Sequence, residues 1–277
     1  MNGERCSKET LFTIVTVCFN DLQNLKSTCA SVEAQNSPEV FEHVIIDGGS
    51  TDGSVEWLNG RDRDIRHRWQ SQPDKGIFDA MNKGIQQSSG EYLCFLNAGD
   101  IFARPTVVQS AAHRMRGSGA IWGYGKARVV DELGTAVRPN VGMLPYSLRR
   151  HKYGRATVCH QAVWMSREYL MSVGGFDDVY GSAADYHRLL SAGRRQPPIV
   201  WADIDVDYRA GGVSDIDVYK QLWRRHRART VGLNAPGLLA GLDTVFTVVQ
   251  ILNVRLRKSL KPYLLWLKSS ISRIRRA

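Results

Sequence analysis

Four apolar runs in the first hundred residues each stop at a small polar or acidic side chain, and helical patterns separate them. Residues 11–19 are rich in β-branched side chains and read as a buried strand, closed by Asn20 and Asp21. Residues 22–35 set Leu22, Leu25, Cys29 and Val32 three and four apart, one face of a helix. A second strand, 44–47, ends at Asp47 in the turn GGSTDG. A short helix over 53–59 and a third strand over 66–71, followed by Asp74, come next. The spacing of Ile77, Ala80, Met81, Gly84 and Ile85 predicts a helix over 76–88, and 92–96 is a fourth strand that runs into Asn97 and Asp100. Such alternation predicts an α/β fold with a mostly parallel central sheet flanked by helices. Ligands of such sheets bind outside the carboxyl ends of the strands. A mouth lined by carboxylates suits a phosphate group only if a divalent cation lies between them.

After residue 120 the pattern loosens. Residues 120–130 and 199–209 read as strands, with short helices over 165–173 and 184–193 between them. The charge then shifts abruptly. Residues 1–214 carry 24 Lys+Arg and 24 Asp+Glu, whereas 215–277 carry 13 and 3, so the whole net charge of +10 resides in the tail. Within that tail Leu238, Leu242, Val245, Val249, Leu252, Leu256 and Leu260 recur at helical spacing, with basic residues between them. This predicts one or two basic amphipathic helices, broken near Pro262. The chain therefore divides into a main domain, 1–214, and an appendage, 215–277. Asp243, Gln250 and Asn253 interrupt the most apolar stretch, which argues against a membrane-spanning helix.

Five cysteines without a CxxC pair predict free thiols rather than a disulfide framework or a zinc site. The first ten residues lack the apolar core of a signal peptide, so a cytoplasmic protein is expected.

Taken singly, the polar segments have ordinary explanations. Asp47 and Asp52 in VIIDGGSTDGS could meet a base or a ribose, or simply cap their own turn. The segment contains neither GxGxxG nor the lysine of a P-loop. Asp74 could serve a ligand at a helix start or cap that helix. Asp100 in CFLNAGD could supply a hard-cation ligand or belong to a plain turn. Asp185 could pair with Arg188 on a helix surface. His160 beside Cys159 could be an ordinary core histidine.

Their order is more specific than any one of them. VTVxxN, DGGSTDGS, PDxGIxDAxNKG, FLNxGD, then HQ, GGFD, ADY and GGVS, over roughly residues 10–215, resembles the family-two glycosyltransferases of GT-A fold. The similarity is greatest to the bacterial exopolysaccharide and capsule branch, which includes colanic-acid transferases. The resemblance implies inverting transfer of a sugar from a nucleotide-diphosphate donor to a hydroxyl, assisted by Mn2+ or Mg2+. It implies that Asp47 contacts the nucleoside, with Asn20, Asp52, Asp74 and Asn82 around it. It also implies that Asn97, His160 and Gln161 lie toward the diphosphate or acceptor, that Gly212 and Ser214 close over the diphosphate, that Asp100 binds the metal and that Asp185 is the general base. The chain departs from the commoner pattern twice: DDGS has become DGGS, and the DxD-type run has become NAGD, with one carboxylate.

The tail admits three roles: attachment to the anionic inner face of a membrane, packing between subunits of a homo-oligomer, or covering the main domain. Attachment suits the lipid-linked glycan acceptors common in the resembled branch. Nucleic-acid binding is disfavoured, because the main domain is neutral. An NAD-dependent oxidoreductase is disfavoured by the absent glycine fingerprint. A non-catalytic nucleotide-binding scaffold is the alternative to the enzyme.

Overall fold

The computed structural model describes residues 11–36, 40–61, 67–131, 133–154, 157–209 and 218–274. Its first half follows the expected alternation: β1 (Phe12–Cys18), α1 (Leu22–Glu33), β2 (Phe41–Asp47), α2 (Ser54–Asn59), β3 (His67–Ser71), α3 (Ile77–Gln87) and β4 (Tyr92–Phe95). These strands pair in parallel in the order β3-β2-β1-β4. Every residue of β1, β2 and β4 is buried, which explains why they read as unbroken apolar runs rather than alternating ones. The connections leave β1 in both directions across the sheet, so a crevice opens at its carboxyl end.

The second half is mixed. It comprises β5 (Ile101–Phe102), α4 (Val107–Met115), β6 (Trp122–Val130), β7 (Ala136–Val141), α5 (Leu148–Lys152), β8 (Val163–Ser166), α6 (Arg167–Ser172), α7 (Ala184–Arg195) and β9 (Ile199–Arg209). Strand β8 runs antiparallel to both β4 and β6, while β6 and β9 are parallel. The sheet continues β4-β8-β6-β9-β5, with β7 on β6. The sheet is thus parallel across its first four strands and between β6 and β9, and antiparallel at its other pairings. One buried cluster, around Trp122, Tyr124 and Phe176, fills one face of the sheet; another, around Phe12, Trp164 and Trp201, fills the opposite one.

Two further helices follow, α8 (Val218–Thr230) and α9 (Gly237–Ile274). Arg224 donates to the Ser182 hydroxyl at 2.6 Å, and that hydroxyl donates to Gln221 at 2.9 Å, tying α8 to the turn before α7. Between α8 and α9, Arg229 Nε meets both oxygens of Asp243 at 2.8 and 3.1 Å, and its Nη2 donates to Thr247 at 2.8 Å. His226 Nδ1 lies 2.7 Å from the same carboxylate. Asp243, Thr247 and Ile251 form the buried stripe of α9, whereas Leu238, Leu242, Val245, Val249, Leu252 and Leu256 are exposed. Asp243 therefore interrupts the apolar stretch in sequence but not on its outer face. Gly237–Leu256 has the length and composition of a membrane-crossing helix, contrary to the sequence expectation. Nor does Pro262 break the helix, since a proline removes a single donor and can be carried inside a long helix as a kink. Cys18, Cys29, Cys94 and Cys159 are free and buried.

Candidate active site

At the carboxyl end of β2, Asp47 is fully buried and occupied by its own turn. Oδ2 accepts from the N–H groups of Gly49 and Ser50 at 3.0 and 2.9 Å and from the Ser71 hydroxyl at 2.6 Å; Oδ1 accepts from the Ser50 hydroxyl at 2.5 Å. Four hydrogen bonds hold the carboxylate, three on Oδ2 and one on Oδ1, so it shapes the loop and joins β2 to β3. Asp52 has a similar task. It accepts from Leu22 N–H at 2.8 Å and from Ser54 N–H and hydroxyl at 3.1 and 2.6 Å, tying the starts of α1 and α2 together. The Ser54 hydroxyl is the main cause holding the Asp52 carboxyl below its usual pKa. Asn20, left-handed at φ 50°, accepts from Thr51 N–H at 2.8 Å, and its own N–H donates to Ser50.

The open part of this mouth lies between Phe19 and Asp74. A Cβ on Gly48 would sit 2.6 Å from Asp74 Oδ2 and 3.2 Å from the Phe19 ring, so both side chains converge on that glycine. Asp74 Oδ1 accepts from Gly76 N–H at 2.8 Å; among the described residues no hydrogen bond reaches Oδ2. The Phe19 ring is 62% exposed beside it. An exposed flat ring next to an open carboxylate oxygen can stack on a planar base and accept from its N–H. Sequence reasoning missed Phe19 because it continues the apolar run of β1.

Asn82 has a task within the fold. Its amide donates to Phe176 C=O and accepts from Phe176 N–H, both at 2.8 Å, which clamps the GGFD loop to α3. The clamp uses one N–H and one lone pair of the amide and leaves a second of each on this half-buried residue.

At the end of β4, Asn97 Oδ1 is buried without a hydrogen-bond partner. Asp100 is 5% exposed and accepts from Arg209 N–H at 3.2 Å. Burial raises its carboxyl to about 7, opposed by the Arg209 N–H and by Gln161. Gln161 also meets the Cys159 thiol at 3.0 Å. His160, on the 3-10 turn His160–Ala162, stacks on Phe95 with ring centres 6.1 Å apart and meets Phe176 edge-on at 6.3 Å. Burial lowers its pKa, and the charge of Asp185 opposes that shift.

Asp185 lies in the first turn of α7 and lines a small cavity with His160, Phe95, Phe176 and Arg188. Arg188 is buried, with Nε unpartnered, so it is not the surface partner that its i+3 position suggested. Gly212 and Ser214 lie outside the described residues. Among the described residues no three His, Cys, Asp or Glu side chains gather around one point.

The sequence model of glycosyl transferase family 2 matches residues 13–174. The chain belongs to that family. An uncharacterized glycosyltransferase of Mycobacterium tuberculosis is 37% identical over 204 residues, 73% of this chain and 76% of the relative. A PGL/p-HBAD biosynthesis glycosyltransferase of Mycobacterium bovis is 29% identical over 182 residues, 64% and 67% of the two chains. Among solved structures, S. aureus TarS in complex with UDP-GlcNAc superposes with a TM-score of 0.66 at 15% identity, covering 86% of this chain and 70% of that one. The mannosyltransferase PcManGT of Pyrobaculum calidifontis, in complex with GDP-Man and Mn2+, gives 0.57 at 14%, covering 92% and 82%. These likenesses establish the GT-A type fold. Within this family 2 glycosyltransferase, Asn97, Asp100, His160, Gln161 and Asp185 stand on adjoining elements around the β4–β8 junction, and Phe19 and Asp74 stand at the mouth of β1 and β3.

Proposed function

We propose that this family 2 glycosyltransferase moves a sugar from a UDP- or GDP-linked donor to a hydroxyl of a lipid-linked glycan, with inversion, in the building of a cell-surface polysaccharide. The observation that carries the reading is the placement of Asp185. It is a carboxylate in a largely apolar cavity walled by Phe95, His160 and Phe176. An inverting transfer needs a carboxylate facing the acceptor hydroxyl, opposite the departing diphosphate. Asp185 takes the hydroxyl proton as the acceptor oxygen bonds to the anomeric carbon, and the bond from that carbon to the diphosphate oxygen breaks with both its electrons. The base of the nucleotide stacks on Phe19 and donates to Asp74.

Asn97 Oδ1 without a partner and a desolvated Asp100 together fit a divalent cation, Mn2+ or Mg2+. Asp100 and Asn97 would hold it. When bound, it supplies neutralisation of the charge on the leaving group. The Mn2+ and GDP-Man named with PcManGT support this choice by analogy.

The exposed face of α9 supports a peripheral position on the cytoplasmic face of the membrane. The opposite stripe, with Asp243 and Thr247, is occupied by α8, so lipid cannot surround the helix. Residues 215–277 then act as an appendage that seats the 1–214 domain on anionic lipid. The PGL/p-HBAD relative supports a glycoconjugate product by analogy.

The test is a melting panel of UDP, GDP and CMP and their sugars, with and without Mn2+. A ligand at 100 times its Kd stabilises the fold by about 2.7 kcal/mol. One nucleotide that shifts the melt, more so with Mn2+, is expected, and Asp185→Asn keeps that shift while losing transfer. Transfer at wild-type rate by Asp185→Asn would remove Asp185 as the base.

A further inference from the structure

A second cavity, of about 270 Å3, lies between α5, α8 and α9. Its walls differ in chemistry. Leu239, Leu242 and Phe246 form one side; Lys152, Tyr153 and Arg229 face them. The acid that borders it, Asp243, has both oxygens engaged by Arg229 and one shared with His226, so its charge is compensated in place. Lys152 has no such compensation in the cavity; its ammonium rests 5.5 Å above the Tyr153 ring. Arg149 and Arg150 are exposed on the same helix. Arg225 lies over the Tyr186 ring at 5.4 Å, with Nε unpartnered. Arg149, Arg150 and Arg225 lie outside its lining, so the cavity joins one uncompensated cation at its rim, Lys152, to an apolar floor.

Two connections give this place a direction. Leu239 and Leu242 line the cavity and also belong to the exposed face of α9, which continues through Val245, Val249 and Leu252. At the other end, the Tyr186 hydroxyl donates to the C=O of Lys152 at 2.5 Å, and Tyr186 directly follows Asp185. The cavity thus adjoins the apolar face of α9, and α5 on its wall is bonded to the residue that follows the proposed base.

We propose that this cavity is an acceptor subsite that takes the phosphate-bearing head of a membrane amphiphile, with Lys152 on the phosphate and the hydrocarbon running along α9. The proposal rests on the transferase reading and adds to it the chemical class of the acceptor's anchor. A phosphate alone would use only the rim, and a neutral lipid only the floor. An anionic amphiphile uses both.

The test measures equilibrium binding of farnesyl phosphate, farnesol and inorganic phosphate to the full-length protein. A charge-assisted hydrogen bond to a phosphate corresponds to about tenfold in affinity or more. Farnesyl phosphate is expected to bind at least about tenfold more tightly than either other probe, with that advantage lost in Lys152→Glu and restored in Lys152→Arg. Ala235→Phe, which fills the cavity from the α8–α9 turn, is expected to weaken farnesyl phosphate binding with no change of charge. Farnesol or inorganic phosphate binding as tightly as farnesyl phosphate would overturn the proposal, as would wild-type affinity in both Lys152→Glu and Ala235→Phe. The nucleotide-induced melting shift is read on the same samples. Its loss in the wild type alongside intact farnesyl phosphate binding would strike the transferase reading, whereas its survival alongside absent lipid binding would strike the subsite alone.

Discussion

The side-chain amide of Asn82 grips the backbone of Phe176 from both ends, donating to its C=O and accepting from its N–H at 2.8 Å each. The Phe176 ring packs edge-on against Phe95 at 5.1 Å and faces the cavity of Asp185. A residue on α3 thereby fixes one wall of the site through a loop 94 positions away.

Asn82→Ala leaves two buried backbone groups of Phe176 unpaired, each costing about 1–3 kcal/mol. The expected result is a melting temperature lower by several degrees, with nucleotide affinity nearly unchanged in the folded protein. A large fall in nucleotide affinity at unaltered melting temperature would make Asn82 a donor contact instead.

Gly48→Ala places a methyl group 2.6 Å from Asp74 Oδ2 and 3.2 Å from the Phe19 ring. Both side chains must move. Nucleotide affinity, measured by calorimetry, is expected to fall by about tenfold or more, with a smaller effect on the melt, since Asp74 and Phe19 are not in the core. Unchanged affinity would place the base elsewhere.

Burial lowers His151 to about 4, with the Arg225 charge adding to the effect, and lowers His43 to about 3. The unfolded chain takes up these protons from about pH 6.5, the folded chain only near the lowered values. The stability these neutral imidazoles contribute is therefore present above about pH 6.5 and is lost as pH falls toward 4 and below. His151→Phe keeps the ring contacts with Tyr146 and Tyr186. It is expected to flatten part of the loss in denaturant titrations between pH 6.5 and 4, with His43 sustaining the rest. An unaltered slope would mean that His151 titrates normally.

Asp243→Leu leaves Arg229 buried without its carboxylate, a change that costs about 3–5 kcal/mol when one partner of a buried pair is removed. Adding Arg229→Met is expected to recover most of that stability in a double-mutant cycle. A double variant no more stable than the single one would show that the pair acts through something other than charge.

Much of the first half was legible because its chemistry is local. Strands buried on both faces read as apolar runs, and the residue at each strand end follows directly. The sequence does not show which of those end residues remain available. Asp47 and Asp74 look alike in the chain, yet four donors converge on Asp47 from Gly49, Ser50 and Ser71, whereas Asp74 keeps an oxygen turned toward Phe19. Nor does the sequence show that Asn82 clamps Phe176, a partner remote in the chain. The second half was harder. Strand β8 has only four residues, directly between a 3-10 turn and α6, and its place between β4 and β6 is set by long-range pairing that leaves no periodicity. The helix of Val107–Met115 went unread because its VVQSAAHRM pattern is short and carries few large apolar side chains. The tail is legible as an amphipathic helix, but the one acid within α9 reads in sequence as an interruption. Packed against Arg229, Asp243 is instead the point of attachment.

The links from α9 through Arg229 to α8, and from α8 through Ser182 to the turn before Asp185, are short hydrogen bonds between side chains on packed elements. A helix held this way cannot swing on a tether. If α9 rests on a surface, Asp185 stands at one height above it, and the protein becomes a ruler. An acceptor hydroxyl would be chosen by its distance from the anchor, so that lengthening the glycan by one sugar could carry the new hydroxyl out of reach and end the protein's turn after a single addition.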